Sequence, residues 1–98
     1  MAVYVDPLIP WPKVPGWSYG AVSHLHTDVG NLAELHSFAQ SIGLKRQWFQ
    51  DNIRMPHYDL TPNKRMAAVR QGAIEVTGKQ MVARMKQWIA HKRKEYKS

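Results

Sequence analysis

At 98 residues and 44% hydrophobic content, the chain suffices for one domain with a modest core and is too apolar for wholesale disorder. It has no cysteine, which excludes disulfides, thiolate metal sites and a cysteine nucleophile. The net charge of +7 is uneven: residues 1–43 carry −2 and residues 44–98 carry +9, so the second half favours an anionic partner.

The opening "AVYVD" alternates and is rich in β-formers, so it reads as a strand that Pro7 stops. Residues 7–20 hold four prolines and two glycines, and regular structure is not expected there. Loops this long in small domains often bind ligands. Trp11, Trp17 and Tyr19 lie on it and either fold over the core or face a ligand. A second strand is predicted over 19–26. A helix is predicted over about 31–43, with Asn31 and Glu34 at capping-box spacing and Gly43 just past its end. "RQWFQ", 46–50, reads as a short strand. A second helix over about 61–72 opens with Thr61 as N-cap and Pro62 in the first turn. "AIEV" is a strand. A third helix spans about 77–92, with Met81, Val82, Met85, Trp88 and Ile89 as its buried stripe.

Strands alternating with helices predict a small single-domain α/β fold, with a partly parallel sheet of about four strands and three helices. The domain is drawn over residues 1–91, with 92–98 as a basic C-terminal tail. The longest apolar runs fall far short of a membrane span, and "MAVYVDP" lacks the pattern of a signal peptide. A cytoplasmic protein without a membrane partner is expected.

Ligands in parallel sheets sit beyond the carboxyl ends of the strands. Asp6, His24 to Asp28 and His57 to Asp59 all fall at or just after predicted strand ends. In an extended chain His24 and His26 share a side, with Asp28 following, and His57 and Asp59 do the same. Such a set could ligate a metal. The short His-x-His spacing arises easily by chance, so we assign no metal and no cofactor. His36 reads as a half-buried histidine bonded to a neighbour. In "HYDLTPNKR", Thr61 and Pro62 account for the helix start and leave His57 and Asp59 over. Lys64 and Arg65 fall in the first helical turn, where the macrodipole disfavours cations. With the helix N–H groups they could instead hold a phosphate. No phosphate loop, nucleotide fingerprint or serine elbow is present.

The motifs "AVYVDP", "SHL" with Asp28, "LAELHSFAQSIG", "HYDLTPNKR", "GA" and "TGK" resemble the small bacterial and phage proteins grouped as domain of unknown function 4031. The resemblance spans almost the whole chain. The family name carries no activity. Relatives joined to a phosphohydrolase domain imply a nucleotide or phosphate context. The family-like positions are Asp6, Ser23, His24, Asp28, His36, His57, Tyr58, Asp59 and Arg65. His26, the proline–tryptophan loop and the tail fall outside the pattern.

The expectation is therefore a site that binds a phosphate-bearing small molecule, a nucleotide or a related compound, and hydrolyses or sequesters it. His24, Asp28, His57 and Asp59 would be its catalytic groups. Asp6, Tyr58, Lys64, Arg65, Trp11 and Trp17 would bind the ligand. The alternative is a nucleic-acid-binding accessory protein that uses its third helix and tail, through Arg84, Lys86, Lys92, Arg93 and Lys94. A blander reading is a protein-interaction domain whose polar cluster only stabilises loops.

Overall fold

A computed structural model describes the backbone of residues 2–97 and the side chains of residues 2–95. Strand β3 (Ala21–Thr27) is the centre of a five-stranded mixed sheet. β1 (Val3–Val5) pairs antiparallel with it, Val3 opposite Thr27 and Val5 opposite Leu25. β2 (Ile9–Pro10) continues along the same strand, with Ile9 opposite Val22. The register has slipped by one residue between the two, so the chain bulges after Val5. β4 (Tyr58–Leu60) pairs antiparallel with β3, with Tyr58 opposite Leu25. β5 (Ile74–Glu75) adds parallel to β1. Only β3 runs against the rest.

Alternation gives the sheet two unlike faces. Val3, Val5, Leu25, Tyr58 and Leu60 point one way and are buried. They pack with Leu35 and Ala39 of α1 (Leu32–Ser41) and Ala68 of α2 (Pro62–Arg70) in one core. Tyr4, Asp6, His24, His26 and Asp59 point the other way, a polar set. α3 (Gly78–Lys97) covers part of that face. It does so through Met81, Arg84, Met85 and Trp88, a spacing that places all four on one side of a helix. Trp88 is 3% exposed and donates Nε1–H to the Thr27 carbonyl at 2.8 Å.

The α/β class, the three helices and the parallel pairing are as the sequence indicated. Thr61 caps α2, accepting from the Lys64 N–H. Thr77 and Gln80 form a reciprocal capping box before α3. Several details differ. Asn31 makes no cap bond; its amide reaches Thr27 Oγ1 and Glu34 instead. Residues 46–50 are no strand, because a 3-10 turn at Arg46–Trp48 satisfies that backbone locally. Gln50 alone bridges to His57. The loop 7–20 contains β2 and a Val14–Trp17 bridge. Val82 is exposed, and Arg84 occupies the inner side of α3 in its place. The predicted tail is helical as far as Lys97, and Lys92 reaches Asp51 at 2.6 Å. Ser98 lies outside the described residues. Among the described residues, no helix is long and apolar enough to cross a membrane.

Candidate functional site

The bulge after β1 builds the floor of the site. Where ladder bonding breaks, the Asp6 carboxylate takes over: Oδ1 accepts from the His24 backbone N–H and from Ser23 Oγ, and Oδ2 meets His24 Nδ1 at 3.0 Å. Asp6 is 1% exposed. Burial alone would push its carboxyl up, but the hydrogen bonds from His24 and Ser23 outweigh it. The group is held below the ordinary carboxylate range. An ionised Asp6 can only accept, so the His24 ring carries its proton on Nδ1 and turns Nε2 outward.

His57 is fixed in the same sense. Its Nδ1 faces the Met55 carbonyl at 2.9 Å. A carbonyl only accepts, so the proton again sits on Nδ1 and Nε2 points away. The two rings meet edge to face with centroids 5.0 Å apart. Both Nε2 atoms converge on Asp59 Oδ1, at 3.8 Å from His24 and 3.4 Å from His57. The other Asp59 oxygen accepts from Gln50 Nε2 at 2.6 Å, which sets the carboxylate's rotation. Burial disfavours charge on His57, but Asp59 and the Met55 carbonyl prevail and raise its pKa. Burial likewise opposes ionisation of Asp59, yet His57 and Gln50 hold its pKa down. His24, His57 and Asp59 offer one ligand atom each within 4.8 Å of one another, close enough to hold a metal ion.

The structure separates the other candidates. Asp28 lies at the far end of β3, because β3 runs opposite to its neighbours. It accepts from Tyr4 Oη at 2.7 Å and pairs with Arg84 at 3.0 Å, so it does not join the cluster. His26 is fully buried between these groups. Tyr58 faces the apolar core, 1% exposed, with its hydroxyl 2.8 Å from His36 Nδ1. Arg65 turns toward the sheet edge, donating to the Asp6 carbonyl and pairing with Glu75 at 3.2 Å. Lys64 reaches back to the end of α1 and donates to the Ile42 carbonyl at 2.6 Å. Gly43 makes room for it, since a Cβ there would lie 2.8 Å from Lys64 Nζ. Trp11 is half exposed and lies outside the cleft described next.

That cleft, about 630 Å³, opens beside Asp59. Trp17, Tyr19 and Trp48 form aromatic walls, and Gln50, Thr61, Asn63 and Lys64 add polar groups. Trp17 is held by its Nε1–H on the Ala21 carbonyl and by an edge contact with Tyr19. Residues 3–88 match the family described as "Protein of unknown function (DUF4031)". The chain belongs to this family. No curated protein and no solved structure matches the chain. Of the positions that carry the DUF4031 resemblance, Asp6, Ser23, His24, His57 and Asp59 meet at the site. Asp28, His36, Tyr58 and Arg65 serve the packing around it. Gln50 and Trp48 were missed as site residues. No signal in the sequence marks them: the Gln50–His57 bridge that brings this segment to the site exists only in the fold.

Proposed function

We propose that this DUF4031 domain binds a phosphate-bearing small molecule, a nucleotide or a related compound, in the cleft between the proline–tryptophan loop and the start of α2. The observation that carries this reading is the cleft itself: about 630 Å³, three aromatic walls, and a carboxylate backed by two histidines at its edge. The volume falls within the ~300–1,000 Å³ range of small-molecule sites. Aromatic stacking contributes roughly 1–3 kcal/mol per nucleic-acid base. Lys64 uses one of three donors internally and keeps two for phosphate. Asp59 and His57, at the edge of the cleft, would supply the chemical groups for hydrolysis.

The test is tryptophan fluorescence titration with nucleoside mono- and triphosphates, alongside a phosphate-release assay. Binding that Trp17→Ala and Lys64→Ala each weaken supports the reading. Release abolished by His57→Gln assigns hydrolysis; binding without release assigns sequestration. Titrations in which neither variant changes affinity refute it.

The exposed cations of α3, Lys86, Arg93 and Lys94, favour the second reading, nucleic-acid binding. Arg84 and Lys92, also expected to serve it, hold Asp28 and Asp51. If it holds, replacing the three exposed cations flattens the salt dependence of affinity for single- or double-stranded DNA.

A further inference from the structure

We infer that His24 Nε2, His57 Nε2 and Asp59 Oδ1 form the seat of one divalent first-row metal ion, of the zinc, cobalt or manganese class. This goes beyond the cleft reading and stands on donor geometry alone. With Nδ1 of each ring turned to Asp6 or Met55, it is Nε2 of each ring that faces the Asp59 carboxylate and would carry the ligating lone pair once its proton is displaced. Three acceptor atoms then face one another within 4.8 Å. A cation between them takes the place of the proton that His57 shares with Asp59.

The distances suit a metal. An ion ~2.0–2.2 Å from each ligand separates neighbouring donors by roughly 3.0–3.4 Å, for octahedral and tetrahedral angles respectively. The two contacts to Asp59, at 3.4 and 3.8 Å, need only a small contraction, and the two histidine ligand atoms, within 4.8 Å of one another, close further around the ion. Each ligand also has a supporting partner: Asp6 behind His24, the Met55 carbonyl behind His57, and Gln50 behind Asp59. Such partners fix tautomer and orientation in metal sites.

The ligand chemistry selects among ions. Two imidazoles and one carboxylate suit zinc, cobalt, manganese or iron. Magnesium and calcium prefer all-oxygen sets, and the chain has no thiolate for copper(I). Three protein ligands leave positions open. The two histidines line a small pocket of about 180 Å³ with Asn52, Arg54, Met81 and Met85, where water or an anionic group can complete the coordination.

The experiment is calorimetric titration of chelator-stripped protein with zinc and cobalt, with magnesium as a control and visible absorption to report cobalt geometry. One site per chain of micromolar affinity or tighter is expected, with magnesium silent. Asp59→Asn and His57→Gln should each weaken zinc by more than about tenfold with the fold intact by circular dichroism, since even supporting partners are worth ~10–100-fold. Asp6→Asn should weaken it by about tenfold or more. If that buried variant fails to fold, the two others still decide. His91→Gln, which removes the exposed His91–Glu95 pair on α3, should change nothing. The inference is overturned by an absence of zinc binding, by binding that survives both Asp59→Asn and His57→Gln, or by binding lost with His91. Trp17→Ala should leave the zinc isotherm unchanged, so a failed cleft reading and a failed metal site register in separate measurements.

Discussion

Acid should destabilise this protein through His26 well before its carboxylates protonate. His26 is fully buried. Burial, aided by the nearby Arg84 guanidinium and the charge of His24, lowers its pKa from 6.5 to about 4, although the His24 carbonyl and Asp6 pull it up. The unfolded chain therefore takes up the proton first. The stability held above pH 6.5 is lost as pH falls toward about 4 and then levels off. Each pH unit costs about 1.4 kcal/mol, so the whole window is worth ~3 kcal/mol. The other shifted groups act elsewhere or with less weight. His57, raised, contributes below its folded pKa and loses that contribution as pH rises above 6.5. Asp6, Asp28 and Asp59, lowered from 3.8, lose theirs only as pH drops through and below that value. His36 shifts the same way as His26 but is more exposed. Urea denaturation in the presence of a chelator, on wild type and His26→Gln, isolates the effect. The glutamine variant should be less stable near neutrality, and the gap should close by ~3 kcal/mol across the window. Equal pH slopes in the two proteins would refute the argument.

Arg65→Ala should cost ~1.5–3 kcal/mol of stability, the scale for a charged hydrogen bond, and leave cleft affinity unchanged, because its partners are Asp6 and Glu75; thermal melts and fluorescence titration check the two halves. Thr61→Ala should lose about 1 kcal/mol as a missing N-cap, read by urea denaturation. Trp88→Ala should cost ~3–5 kcal/mol, since a buried indole and its bond to Thr27 disappear together; a melting temperature close to wild type would show that α3 is not docked as described.

Much of this was legible because side-chain periodicity is local. "SHLHTD" places His24 and His26 on one side of a strand, and they lie there. Strand direction is not local. Nothing within "SHLHTD" says that β3 opposes its neighbours, and that reversal puts Asp28 beside Tyr4, at the start of β1, and away from Asp6 and Asp59. Similar faces also receive different covers. His26 ends beneath α3 beside Arg84, while His24 stays at the site, and the choice is made by a helix about 60 residues later (Arg84 is 58 residues beyond His26). Lys64 and Arg65 fall a quarter-turn apart on α2, so neighbours in sequence serve different elements. Arg84 was hidden by its charge. A stripe drawn from apolar residues alone passes over a guanidinium that stacks on Tyr4 at 3.6 Å.

The one-residue slip between β1 and β2 also divides the molecule for an engineer. On one side of it, Val3 to Val5 are locked in register with β3, and Asp6 is bonded to His24. On the other, the hairpin from Ile9 to Ala21 closes on its own bonds, Trp11 to Gly20 and Val14 to Trp17. That hairpin can be lengthened, shortened or exchanged at its tip without moving the paired carboxylate and imidazole. On the proposed reading, ligand preference would lie in Trp17 and Tyr19 and could be redesigned while Asp6 and His24 keep their positions.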